Sequence, residues 1–251
     1  MKKTRSKFYL YMSFLILGLA FVGFGPSFIF RPFVEPPVFS PAITPMIIVH
    51  AIIGFLWLGV FVTQTTLVQA NQIEWHKKLG WAGLVLAVLL CITIATSALN
   101  RAESGLALSP EVLVDSGSFG PATILVFDLG GIFNFATMFI LGMAYRRNPI
   151  KHKTFMLYAG IMAVMQTFPR IGIIFFGADY FFQAAVVMAL TVLLIPLIYE
   201  TIKYGKPKWL TIGIFLFLIV ALNVGQILGQ SPSVIEVAEK IVEWWSLNTS
   251  I

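Results

Sequence analysis

The chain has 251 residues, of which 58% are hydrophobic and 11% charged, against roughly 45–50% and about 25% in an ordinary soluble domain. Its mean hydropathy is +0.89, and apolar runs of about 20 residues recur along its length, each able to cross a ~30 Å hydrocarbon layer as a helix, so a water-soluble fold is excluded. The formal net charge of +6 then reports membrane orientation rather than nucleic-acid binding, because basic residues in such chains gather on the cytoplasmic side.

The periodicity predicts an all-α bundle of seven transmembrane helices, in chain order 8 to 30, 44 to 69, 79 to 100, 121 to 145, 153 to 177, 181 to 203 and 208 to 229. The first opens on Met1-Lys2-Lys3 as a signal peptide would. Its apolar character continues ten residues past Gly18-Leu19-Ala20, which favours an uncleaved anchor. The second carries His50, Gly54, Trp57, Phe61 and Gln64 at helical spacing, a stripe that suits either a cavity wall or ordinary helix packing. The third holds the lone cysteine, Cys91, so no internal disulfide is possible.

The fourth span contains Asp128, and the fifth contains Gln166, Pro169 and Arg170. Gln183 opens the sixth, and Asn223 and Gln226 lie near the end of the seventh. Beyond it, Ser233 and Glu236 are spaced as a capping box, and Val234, Ala238, Ile241 and Trp245 form one stripe. A short amphipathic surface helix is expected. The chain thus divides into a transmembrane domain, 1–230, and an extracytoplasmic helix and tail, 231–251.

With a cytoplasmic N-terminus, 13 of the 17 cations fall inside, including Lys77, Lys78, Arg146, Arg147, Lys203 and Lys208, while Arg31, Arg101 and Lys240 fall outside. The positive-inside rule therefore selects N-in and C-out. Tyr9, Tyr11, Trp75, Trp81 and Trp209 mark the inner interface, and Tyr180, Trp244 and Trp245 the outer one.

Depth singles out three ionisable groups. At 1.5 Å per residue, His50 lies ~9 Å and Asp128 and Arg170 ~10 Å below the outer ends of their helices. A charge in the bilayer core costs roughly 2.5–3.5 kcal/mol on the insertion scale, so such groups face the bundle interior and seek one another. Asp128 and Arg170 are the expected pair, with Gln166 one turn from Arg170. Pro169 lacks an N–H and permits a kink at this level. Two outcomes follow: an ion pair that locks two helices, or a pocket in the outer leaflet formed by His50, Trp57, Asp128, Gln166, Arg170 and Asn223. Such a pocket would bind a small polar or anionic ligand, or relay protons, with Arg170 as the fixed cation and His50 as the titratable group.

His76 and His152 open the third and fifth spans at similar depth, and each is followed by a lysine. Small residues run below both, Gly80, Gly83 and Ala87 in one case and Ala159 and Ala163 in the other. The pair suits an interfacial cation cluster, or the axial ligation of a single b-type haem. No zinc-protease, phosphate-loop, dithiol or nucleophile-elbow motif is present, and the seventh span has no lysine for a retinal Schiff base.

Taken together, Phe24-Gly25-Pro26-Ser27-Phe28, His50 with Trp57 and Gln64, His76-Lys77-Lys78-Leu79-Gly80-Trp81 and His152-Lys153 resemble a group of bacterial integral membrane proteins of unknown function. The resemblance covers roughly the first five spans and implies a bacterial inner-membrane location. It transfers no catalytic role. The expectation from sequence is an inner-membrane protein in contact with the lipid bilayer, binding a small ligand for proton-linked transport or sensing. Haem-mediated electron transfer and a structural place in a membrane complex or homo-oligomer are the alternatives.

Overall fold

A computed structural model of the chain describes residues 6–33, 43–103, 121–177 and 179–249. These residues form nine helices and no strand: α1 (Phe8–Phe24), α2 (Pro45–Gln69), α3 (Ile73–Glu103), α4 (Pro121–Ala144), α5 (Pro149–Ala163), α6 (Thr167–Phe176), α7 (Phe181–Tyr204), α8 (Trp209–Gln230) and α9 (Pro232–Thr249). Five of them, α2, α3, α4, α7 and α8, are each long and apolar enough to cross a membrane. The α5–α6 pair makes a sixth such element, bent by 49° at its break, and α1 is a shorter apolar helix of 17 residues.

Local chemistry sets the ends. Thr44 caps α2 by accepting from the Ile47 amide, and Pro45 at the first helical position has no N–H to leave unpaired. Asn148 caps α5 in the same way, accepting from Ile150 and Lys151. The α7–α8 turn needs Gly205, whose φ of 78° is left-handed. Glu200 clamps this turn by accepting from both the backbone amide and the ammonium of Lys208, at 2.9 Å each.

Several predicted boundaries move, among them the start of the third span, which lies at Ile73 rather than 79. The first span ends at Phe24 rather than 30, because Gly25-Pro26 starts a series of turns. The third runs on to Glu103, since nothing after Asn100 breaks a helix and Arg101 prolongs it. The predicted fifth span divides into α5 and α6. Pro169 cannot donate to the Met165 carbonyl, and the chain tightens just before it: Val164, Met165, Thr167 and Phe168 each donate to a carbonyl three residues back.

The core lies among α1, α2, α4, α5 and α8, where Ile16, Trp57, Phe135, Tyr158, Ile161 and Leu218 are buried. Apolar side chains such as Val187, Ile202 and Ile227 point outward and are exposed, as lipid-facing positions should be. The helix α9 is longer than the predicted stripe and begins at Pro232, with Ser231 accepting from the Val234 and Ile235 amides, so Ser233 is not its cap. It lies against the bundle, burying Ala238 beside Ala98, Ala102 and Leu125, and Trp245 Nε1 donates to Asn100 Oδ1 at 2.9 Å.

Close helix approach gives a first prediction. A Cβ on Gly172 of α6 would lie 2.5 Å from the Phe181 carbonyl oxygen and 3.0 Å from its Cα. Backbone cannot yield as a side-chain tip does. Gly172→Ala should therefore destabilise by about 2–3 kcal/mol, whereas Gly213→Ala, with nothing within 4 Å, should gain about 0.5–1 kcal/mol of helix propensity. Thermal unfolding of the two purified variants checks the contrast.

Candidate ligand cavity

The break between α5 and α6 turns Gln166 and Arg170 toward α2, α3 and α4, and a cavity of about 150 Å³ opens there. His50, Trp57, Asp128, Gln166 and Arg170 all line it, together with Ser97 and Arg101. The structure therefore brings five of the six expected pocket residues to one chamber. Asn223 stands apart, donating to the Ile219 carbonyl of its own helix. Most of the remaining wall is apolar, with Phe24, Phe28, Phe55, Leu58 and Leu90 among its residues.

The expected Asp128–Arg170 pair does not form. Asp128 is paired with Arg101 through Oδ2, and its Oδ1 accepts from Gln166 Nε2 at 3.0 Å. The extension of α3 explains the exchange: it carries Arg101 to the end of the helix nearest Asp128, from which a long side chain reaches the carboxylate. Sequence alone places Arg101 outside the membrane. The available signal was its position next to a span end facing the span that carries Asp128, in a chain where α3 and α4 pack together.

Arg170 is held differently. Its Nη1 donates to the Gln166 carbonyl at 2.7 Å, and its guanidinium stands 4.7 Å from the centre of the Phe24 ring. That position adds a cation–π attraction without neutralising the charge. Arg170 takes part in none of the ion pairs among the described residues. Among the described residues the cavity wall thus carries two guanidinium groups and one carboxylate.

His50 is oriented by its neighbour. Its Nδ1 lies 3.1 Å from Thr93 Oγ1, and that hydroxyl donates its one proton to the Leu90 carbonyl. Thr93 can then only accept, so His50 carries its proton on Nδ1 and Nε2 is the basic nitrogen. Trp57 forms the floor. It is 2% exposed, stacks on Phe61 with ring centres 5.5 Å apart, and meets Phe135 edge-on at 5.2 Å.

His76 and His152 come together on the other side of the bundle, with ring centres 6.1 Å apart and planes at 86°. Each Nδ1 faces a carbonyl of the preceding helix, Gln64 at 3.4 Å and Gly142 at 2.7 Å, so each imidazole latches one helical hairpin. Nε2 is the remaining ring nitrogen in both. An ion held at about 2 Å by two such nitrogens leaves the ring centres roughly 5–6.5 Å apart, a range that includes this pair. The small residues beside it are in contact with other helices. A Cβ on Gly83 would meet Val60 at 3.4 Å, and one on Gly142 would meet Met156 at 2.6 Å. The haem reading therefore rests on the imidazole separation alone. Among the described residues no three His, Cys, Asp or Glu side chains are grouped to hold a metal ion.

Comparison with protein families, with curated proteins and with solved structures finds no match to this chain.

Proposed function

We propose that this chain is a seven-span protein of a bacterial inner membrane, N-terminus inside, whose outer-leaflet cavity binds a small anionic ligand for proton-linked transport or sensing. In this reading α1 with the turns that follow it is the first span, the bent α5–α6 pair is the fifth, and α9 lies on the outer surface. The skew of basic residues toward the connections on one side supports the orientation. The observation that carries the function is Arg170: a guanidinium in a largely apolar chamber, outside the ion pairs, beside a carboxylate already engaged by Arg101 and Gln166. An anion bound to Arg170 supplies the partner that the ion pairs among the described residues do not give it. A guanidinium fork suits a carboxylate or phosphate. His50 Nε2 in the same chamber gives bound anion and proton a common site, the coupling that such transport or sensing requires.

The test compares wild-type protein with Arg170→Gln, using butyrate and inorganic phosphate as probes. A charge-assisted hydrogen bond contributes about 1.5–3 kcal/mol, so the variant should lose roughly 10- to 150-fold in anion affinity. Its readout is the anion-dependent rise in thermal midpoint. An equal rise in both proteins would defeat the proposal.

A second reading, single-haem electron transfer through His76 and His152, is favoured by the 6.1 Å separation of their rings. Bound haem would supply one-electron chemistry, and the two hairpin latches would fix the tautomer of its ligands. Protein purified from iron-replete cells should then show a Soret band that His152→Ala abolishes. A chain with neither an anion effect nor a Soret band would be left with a structural place in a membrane complex.

A further inference from the structure

A second hollow adjoins the first. It is an open groove of about 830 Å³ along the outward side of α2, and its walls are apolar apart from Thr63. Phe28, Ala51 and Phe55 line both the groove and the polar cavity, so the two hollows share one partition. The groove continues past Gly59 to Thr63 and Leu79. From Ala51 to Thr63 the helix rises by about 18 Å, the reach of a long acyl tail rather than of a short acid.

Resting on the anion reading above, we infer that the ligand is a single-chain amphiphile with a carboxylate head, of the fatty-acid type. Its head would pair with Arg170 in the cavity, and its tail would leave between Phe28, Ala51 and Phe55 to lie in the groove. Charge and size select this class. One guanidinium outside the ion pairs among the described residues, that of Arg170, matches a monoanion, and a chamber of about 150 Å³ takes a carboxylate more readily than the headgroup of a two-chain phospholipid. A polar site closed on its inner side by Trp57, with an apolar groove on the far side of a partition of Phe28, Ala51 and Phe55, also suits a ligand whose tail follows its head into a mostly hydrophobic wall. Entry is lateral, from the bilayer, so the tail never crosses water.

Gly59 separates this inference from the one beneath it. It lines the groove and not the cavity, and a Cβ there would meet nothing within 4 Å. Gly59→Leu therefore fills the groove in a position where folding tolerates it. Full-length protein in nanodiscs is titrated with myristate, butyrate and tetradecanol. Each probe is compared between wild type and variant, so that its partition into the bilayer cancels. Gly59→Leu should weaken myristate by about tenfold through exclusion of the tail and leave butyrate unchanged. Arg170→Gln should weaken both acids, and tetradecanol should not compete with butyrate. The inference fails if Gly59→Leu leaves myristate binding intact, which is the result expected if bulk lipid merely fills the groove. It also fails if tetradecanol competes as well as myristate. In either case the anion reading survives as long as butyrate binding depends on Arg170. If neither acid responds to Arg170→Gln, both readings fall together.

Discussion

Asp128→Ala should lower stability by about 2–3 kcal/mol and at the same time make the protein more responsive to acetate than wild type. Removing one partner of a fully buried ion pair costs about 3–5 kcal/mol, because the remaining charge has no compensation. Here the Arg101 side chain is 28% exposed and that of Asp128 7%, so the guanidinium recovers some hydration and the lower figure applies. Gln166 also loses the acceptor of its amide. The variant removes the carboxylate that the described residues place on the wall shared by Arg101 and Arg170, and a small carboxylate supplied in solution can take the vacated place. Thermal unfolding with and without acetate measures both effects. Acetate should raise the midpoint of Asp128→Ala well beyond its effect on wild type, and the double variant Arg101→Leu with Asp128→Leu should recover much of the loss without acetate. If acetate stabilises Asp128→Ala no more than wild type, the place vacated by the carboxylate does not take an anion.

Trp57→Ala should have the largest effect on stability, about 3–5 kcal/mol, the usual cost of truncating a large aromatic side chain in a packed core. The indole sits between Phe61, Phe135 and Phe139 and separates the cavity from the helix core below. Its loss joins a new void to the existing chamber. Trp57→Phe retains most of the ring contacts and should cost less than half as much. Because Arg170 approaches from α6 and Trp57 from α2, the anion-dependent rise in thermal midpoint should persist in Trp57→Phe. A cost below about 1 kcal/mol for Trp57→Ala would mean that the aromatic cluster does not hold the floor of the cavity.

The pocket was legible from depth. His50, Asp128 and Arg170 could be placed in one layer by counting residues from their span ends, because the bilayer makes height a sequence-readable coordinate. Gln166 followed from its spacing to Arg170. Asn223 occupies a comparable height yet turns to its own helix, since height carries no information about azimuth. The pairing was not legible for a related reason. Asp128 had two cations within reach of its layer, and the choice depended on how far α3 extends and on where the α5–α6 break directs Arg170. The histidines at the starts of the third and fifth spans were visible as a pair at similar depth, but their shared action, closing a hairpin through Nδ1, needed the carbonyls of the preceding helices in place.

By itself the sequence determined that the chain is helical and apolar enough for a membrane, where most of its helices begin and which of its residues carry a charge too deep to leave unsatisfied, since hydrophobic period, caps and burial cost are all local quantities. Tertiary structure alone decided that Arg101 rather than Arg170 engages Asp128, that the span containing Pro169 bends by 49°, and that a polar chamber and an apolar groove share a wall. Those outcomes depend on the rotation and bend of whole helices against one another, and the energies that set them arise from contacts between residues far apart in the chain.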